Sequence, residues 1–132
     1  MSSIQIARFI ISFSWLYHGL FPKLVHIAPL EKLITASLGL SNELSYLVTK
    51  SAGVSEIIFG LLFFAFYRNK IIVLLNIIAL TGLLGFVAIF QPQLLIEAFN
   101  PVTTNITLIG FSLIILMELK KDSKVICSKD NV

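Results

Sequence analysis

The stretch IIVLLNIIALTGLLGFVAIF, residues 71–90, decides the fold: it runs for 20 residues without a charged side chain. A helix of about 20 mainly apolar residues is what crosses a hydrocarbon core of roughly 30 Å. Nothing in a soluble domain of ordinary composition requires such a run. Working outward, Arg68-Asn69-Lys70 closes a preceding apolar stretch, 51–67, that carries Glu56. Gln91-Pro92 ends the central run, and Asn100-Pro101 opens the next, 101–119, with an N-cap residue followed by proline at the first helical position. The first apolar stretch covers 4–21, is interrupted by Arg8, and stops at Pro22-Lys23, where proline cannot continue the hydrogen-bond ladder. No Lys or Arg precedes it and no small-x-small site follows, so it reads as a retained helix rather than a signal peptide.

Composition agrees. Of 132 residues, 57% are hydrophobic and 13% charged, with a mean hydropathy of +0.94. A soluble domain carries roughly 25% charged residues to cover its surface, so an ordinary soluble enzyme, a disordered chain and a disulfide-rich module are excluded. The single cysteine, Cys127, excludes an internal disulfide, and no zinc or iron–sulfur ligand set is present. His18 and His26 fall on one helix and its exit, unlike the facing-helix ligands of a bundle haem. No phosphate-cradling glycine loop occurs, and the basic tail reads as an orientation signal rather than a nucleic-acid site. The expectation is an all-α, polytopic four-helix membrane bundle, 1–119, with a polar cytoplasmic tail, 120–132.

Between the first two crossings, Pro29 and Gly39 bracket a short helix with Leu30, Leu33, Ile34 and Leu38 on one face, which predicts an amphipathic helix at the membrane surface. Ser41 or Asn42 then offers a cap for a helical run leading into the second crossing. Arg68, Lys70, Lys120, Lys121, Lys124 and Lys129 lie on one side of the four crossings, against Lys23, Lys32 and Lys50 on the other. This asymmetry places both termini in the cytoplasm.

Ionisable side chains inside a crossing are costly, face the bundle interior and mark functional candidates. Arg8, Ser12, Trp15 and Gly19 share a stripe, as do Gly53, Glu56, Gly60 and Tyr67, and small residues there let helices approach closely. Matching the antiparallel helices by depth separates Arg8 from Glu56 by about 11 Å along the axis. Two polar layers result. The outer one, the candidate ligand or proton site, holds Glu56, Trp15, His18, Lys23, Asn100 and Asn105. The inner one holds Arg8, Asn76, Tyr67 and Ser112. The plain alternative for both is helix–helix glue.

Arg8 with Trp15-Leu-Tyr-His-Gly-Leu-Phe-Pro-Lys23, Glu56-x-x-x-Gly60, and Phe99-Asn-Pro-Val-Thr-Thr-Asn105 together resemble the signatures of the DoxX-like family. Thr104 stands where the last block often has lysine. The resemblance implies a small four-helix protein of the bacterial inner membrane. Some relatives belong to quinone-linked oxidoreductase systems, and others associate with redox enzymes or short-chain dehydrogenase-like domains. It implies an accessory partner of a membrane oxidoreductase, without catalysis of its own, binding a quinone or similar lipophile near Glu56 and holding no covalent cofactor. The alternatives are a small homo-oligomeric transporter, with Arg8 and Glu56 marking a path, and a structural or assembly factor with no small-molecule site.

Overall fold

The computed structural model describes residues 2–98 and 100–129; Met1, Phe99 of the third family-like block and the end of the polar tail, 130–132, lie outside them. Among the described residues the fold is entirely helical. Helix α1 is Ser3–Gly19, followed without a break by a π-helical segment, Leu20–Val25. Then come α2 (Pro29–Ser37), α3 (Asn42–Phe66), α4 (Lys70–Phe90), a short 3₁₀ segment (Pro92–Leu95) and α5 (Pro101–Lys129).

Three helices among the described residues are long and apolar enough to cross a membrane: α3, α4, and α5 over Pro101–Asp122. The four-crossing expectation is therefore met in part. With 17 residues, α1 alone extends about 25 Å, short of a full crossing before the π-helical segment is added.

Local chemistry explains most boundaries. Asn69 caps α4, its side chain accepting from the Ile71 N–H at 2.9 Å; Ser41 caps α3, and Pro29 stands in the first turn of α2. Gly39, at φ 69°, ends the turn after α2 in a conformation that favours glycine. The helical run that Ser41 or Asn42 is expected to cap begins at Asn42 and continues without a breaker into the crossing read as 51–67. One boundary differs from expectation. Helix α5 runs beyond Leu119 to Lys129, since the polar residues after it include no proline or glycine.

The helices do not pack in chain order. Helix α1 lies between α3 and α5, and α5 packs on α4, whereas the consecutive α3 and α4 touch little. Ala7, Ile11, Phe63, Val73, Leu80, Leu108 and Ile115 form the core. Large apolar side chains cover the outside: Phe13 is 68% exposed and Ile89 76%. A hydrocarbon surround accounts for such a surface, since continuous apolar patches of this kind are rare on soluble monomers.

At the α1–α3 crossing the backbones nearly touch. A methyl group added at Gly19 would sit 2.5 Å from the Gly53 carbonyl oxygen, and one at Gly53 would sit 2.8 Å from that of Gly19. One at Gly60 would lie 3.1 Å from the Trp15 Cβ. The small-residue stripes read from sequence thus meet at this crossing.

Candidate functional site

The charged centre is built at the end of α1 where the ladder changes pitch. Pro22 has no N–H to give the carbonyl four residues back, and its ring crowds that carbonyl. Instead of stopping, the chain widens: the His26 N–H donates to the Phe21 carbonyl at 3.0 Å and the Ala28 N–H to the Pro22 carbonyl at 2.9 Å. π-helical turns of this kind are uncommon and often carry functional side chains. The expected stop at Pro22-Lys23 is therefore replaced by a wider turn that folds the Lys23 side chain inward, where it is 10% exposed.

There the Lys23 ammonium donates to Oε1 of Glu56, whose side chain is 14% exposed. Glu31 of α2 stands on the other side of the same ammonium at 3.6 Å. The second oxygen of Glu56, Oε2, is buried without a hydrogen-bond partner. His18, in the last turn of α1, lies within electrostatic range of both Lys23 and Glu56. Lys50 fastens the segment from α3 by donating to the Leu24 carbonyl at 2.5 Å. Burial pushes the Glu31 carboxyl above its ordinary value, the Lys23 charge opposes this, and the Glu56 charge adds to it.

The six residues of the expected outer layer do not all meet. Trp15 leaves it: its indole N–H donates to Oδ1 of Asn76 at 2.6 Å. The reason is the lean of helical side chains toward their own N-terminus, which sends Trp15 down α1 while Glu56 leans up α3 toward Lys23. Asn105 bonds the Leu80 carbonyl of α4 at 3.3 Å, and Asn100 caps α5, accepting from the Thr103 N–H at 3.0 Å. Only Lys23, Glu56 and the neighbouring His18 remain together.

The expected inner layer also divides. Asn76 donates to Ser112 at 2.7 Å, and Ser112 to the Leu108 carbonyl at 2.9 Å. Trp15, Asn76 and Ser112 thus form one buried chain joining α1, α4 and α5. Arg8 stands apart, its guanidinium 3.8 Å from the Phe64 ring centroid and 4.6 Å from that of Tyr67. No Arg8–Glu56 ion pair occurs among the described residues.

The depth match needs a correction of about one helical turn. Glu56 faces Gly19, rather than Trp15 or Leu16, and Gly60 faces Trp15. The match ended α1 too early: carried on through the π-helical segment to Val25 and set against residue 51, α1 brings Gly19 and Leu20 to the level of Glu56. Glu31 was not singled out in the sequence. Its signal was there: an acid in the first turn of an amphipathic helix, eight positions after an otherwise unpartnered lysine.

Chemically the site is a buried cation held between two carboxylates, one with a free oxygen. It can accept a hydrogen bond or a proton, or donate from the ammonium to a carbonyl oxygen.

The sequence model of the DoxX-like family matches residues 12–113, most of the chain, which therefore belongs to that family of small membrane proteins. No curated protein and no solved structure gives a match to the chain. Family membership and the apolar helices together make it a multi-pass membrane protein.

Proposed function

We propose that this DoxX-like protein is an accessory subunit of an oxidoreductase system in the bacterial inner membrane, and that it receives a quinone or similar lipophilic carbonyl compound beside Glu56. In this reading α1 and its π-helical continuation, Ser3–Val25, form a fourth crossing. The observation that carries the reading is the Lys23–Glu56 pair with Oε2 unpartnered. A buried pair kept for packing alone gains by satisfying every oxygen. Here one acceptor is left, beside a cation suited to a quinone carbonyl and a histidine within range of both. The chain supplies binding and a proton relay, while electrons come from a partner enzyme of the redox or short-chain dehydrogenase-like class.

The test is quinone binding to the purified protein in nanodiscs, followed through quenching of Trp15, the one tryptophan. Saturable quenching by a short-chain ubiquinone or menaquinone analogue, weakened at least about tenfold (about 1.4 kcal/mol) by Glu56→Gln, is expected. Linear, non-saturating quenching that Glu56→Gln leaves unchanged would overturn the proposal.

The Trp15–Asn76–Ser112 chain is read differently. All its donors and acceptors named above are used internally, which favours a structural role: it fixes α4 and α5 against α1.

A further inference from the structure

A second polar feature lies away from the charged centre, where α2 folds against the first turns of α3. A cavity of about 450 Å³ opens there, lined by Ile27 and Lys32 on one side and by Asn42, Ser45, Tyr46 and Thr49 on the other. Its size falls within the roughly 300–1,000 Å³ typical of small-molecule pockets. Lys32 is the one charged group in the lining, and it forms no ion pair among the described residues. The oppositely charged Glu31 is turned to Lys23 instead.

Thr49 is the informative residue. Hydroxyls on these helices generally spend their proton on a carbonyl one turn back: Ser14 on Ile10, Thr107 on Thr103, Ser112 on Leu108. Ser45 is bonded to Thr35, which ties α2 to α3. Thr49 is 2% exposed, lines the cavity, and its Oγ1 has no partner. A buried hydroxyl left without a bond is costly, so the site is built for an acceptor. The first turn of the 25-residue helix α3 also borders the cavity, and the positive end of a long helix favours an anion.

Donors, one cation and no carboxylate select an anionic oxygen ligand. Leu30 and Leu33 of α2, 44% and 46% exposed, set the site beside the hydrocarbon boundary rather than in open water. We infer that the cavity between α2 and the start of α3 binds a phosphoester, supplied by the headgroup of an anionic membrane lipid, with Lys32 as counter-ion and Thr49 as hydrogen-bond donor. The inference stands apart from the quinone reading, since Glu56 and Lys23 are not among the residues it rests on.

Native mass spectrometry of the full chain, released from nanodiscs of phosphatidylglycerol or phosphatidylcholine, tests it. One phosphatidylglycerol should be retained, about fivefold or more over phosphatidylcholine, the order expected of a single lysine facing an anionic lipid. Lys32→Gln should abolish that preference and Thr49→Val should weaken it, while Lys70→Gln, an equal charge change at the start of α4, should do neither. Lys32 is exposed, so its variant keeps the fold even if Thr49→Val does not. Added glycerol 3-phosphate separates the sources. Failure to displace the lipid supports a membrane ligand, and Lys32-dependent displacement supports the phosphoester chemistry but assigns it to a soluble compound. Equal retention of both lipids by the unmodified chain, or equal losses in Lys32→Gln and Lys70→Gln, would overturn the inference.

Discussion

Glu56 and Lys23 show how little a residue's identity says until its partner is known. Breaking a buried ion pair from one side leaves an uncompensated charge and costs about 3–5 kcal/mol. The two sides are not equivalent here, because Glu31 also stands 3.6 Å from Lys23. Glu56→Ala leaves the ammonium with Glu31, whereas Lys23→Ala leaves two carboxylates facing each other. Thermal unfolding in detergent should therefore rank Lys23→Ala as the more damaging, and a Lys23→Met/Glu56→Met double variant should recover much of the loss. Equal effects of the two single variants would show that Glu31 plays no part. Glu31 itself gives a pH signature. Its carboxyl is raised mainly by burial, so its contribution is complete below the unfolded carboxylate range and is lost as pH climbs through the raised folded value. Glu31→Gln should accordingly gain stability over the parent at neutral pH and show no gain in acid. A stability difference that stays constant with pH would contradict this.

At the scale of helices, glycine position separates packing from propensity. Gly19 and Gly53 each face the other's backbone carbonyl, whereas an added Cβ at Gly82 meets nothing within 4 Å. All three are helical, so alanine offers the same propensity gain of about 0.5–1 kcal/mol. At Gly82 that gain should appear as a higher melting temperature. At Gly19 or Gly53 it should be overwhelmed by overpacking of about 1–3 kcal/mol, because rigid backbone cannot move aside. A neutral Gly19→Ala would mean that α1 and α3 lie farther apart than described. The elements also differ in how well the sequence announced them. The 71–90 run and the Asn100-Pro101 start were legible because hydropathy and capping coincide there. The π-helical segment was not, because proline reads as a stop and nothing local reveals that the ladder will widen. The start of α3 was legible from the cap at Ser41 or Asn42, although hydropathy alone discounts the polar residues 42–51. The π-helical continuation accounts for the one-turn error in register, and with it for the expectation of Trp15 beside Glu56. Which polar residues meet depends on a turn that no periodicity encodes.

Across the whole molecule, polar groups gather at two ends with an apolar belt between. One end carries Lys23, Glu31 and the Lys32 cavity. The other carries the α3–α4 connection and the polar end of α5, drawn together by Arg68 and Asp122 at 3.5 Å. That exposed pair contributes little energy, but it shows that the middle connection and the end of α5 share a side. Lys70, Lys120 and Lys121 lie at the same end. Short connections rich in Lys and Arg stay in the cytoplasm because translocating them is disfavoured. The connection after α4 has none between Gln91 and Asn100, which leaves it free to cross. The expected topology therefore has both termini, Arg68 and Asp122 in the cytoplasm, and Lys23, Glu31 and the α2 cavity at the outer surface. Three single-cysteine proteins in intact cells test it with a membrane-impermeant maleimide. Gln93→Cys in a Cys127→Ser background should label from outside. Asn69→Cys in that background, and the natural Cys127, should label only after the cells are opened. The outcome bears on mechanism as well as orientation, because it decides which compartment would exchange a proton with Glu56. Labelling of Asn69→Cys from outside would invert the molecule, place the Lys23–Glu56 centre at the cytoplasmic face, and require the redox partner to dock on that side against α2.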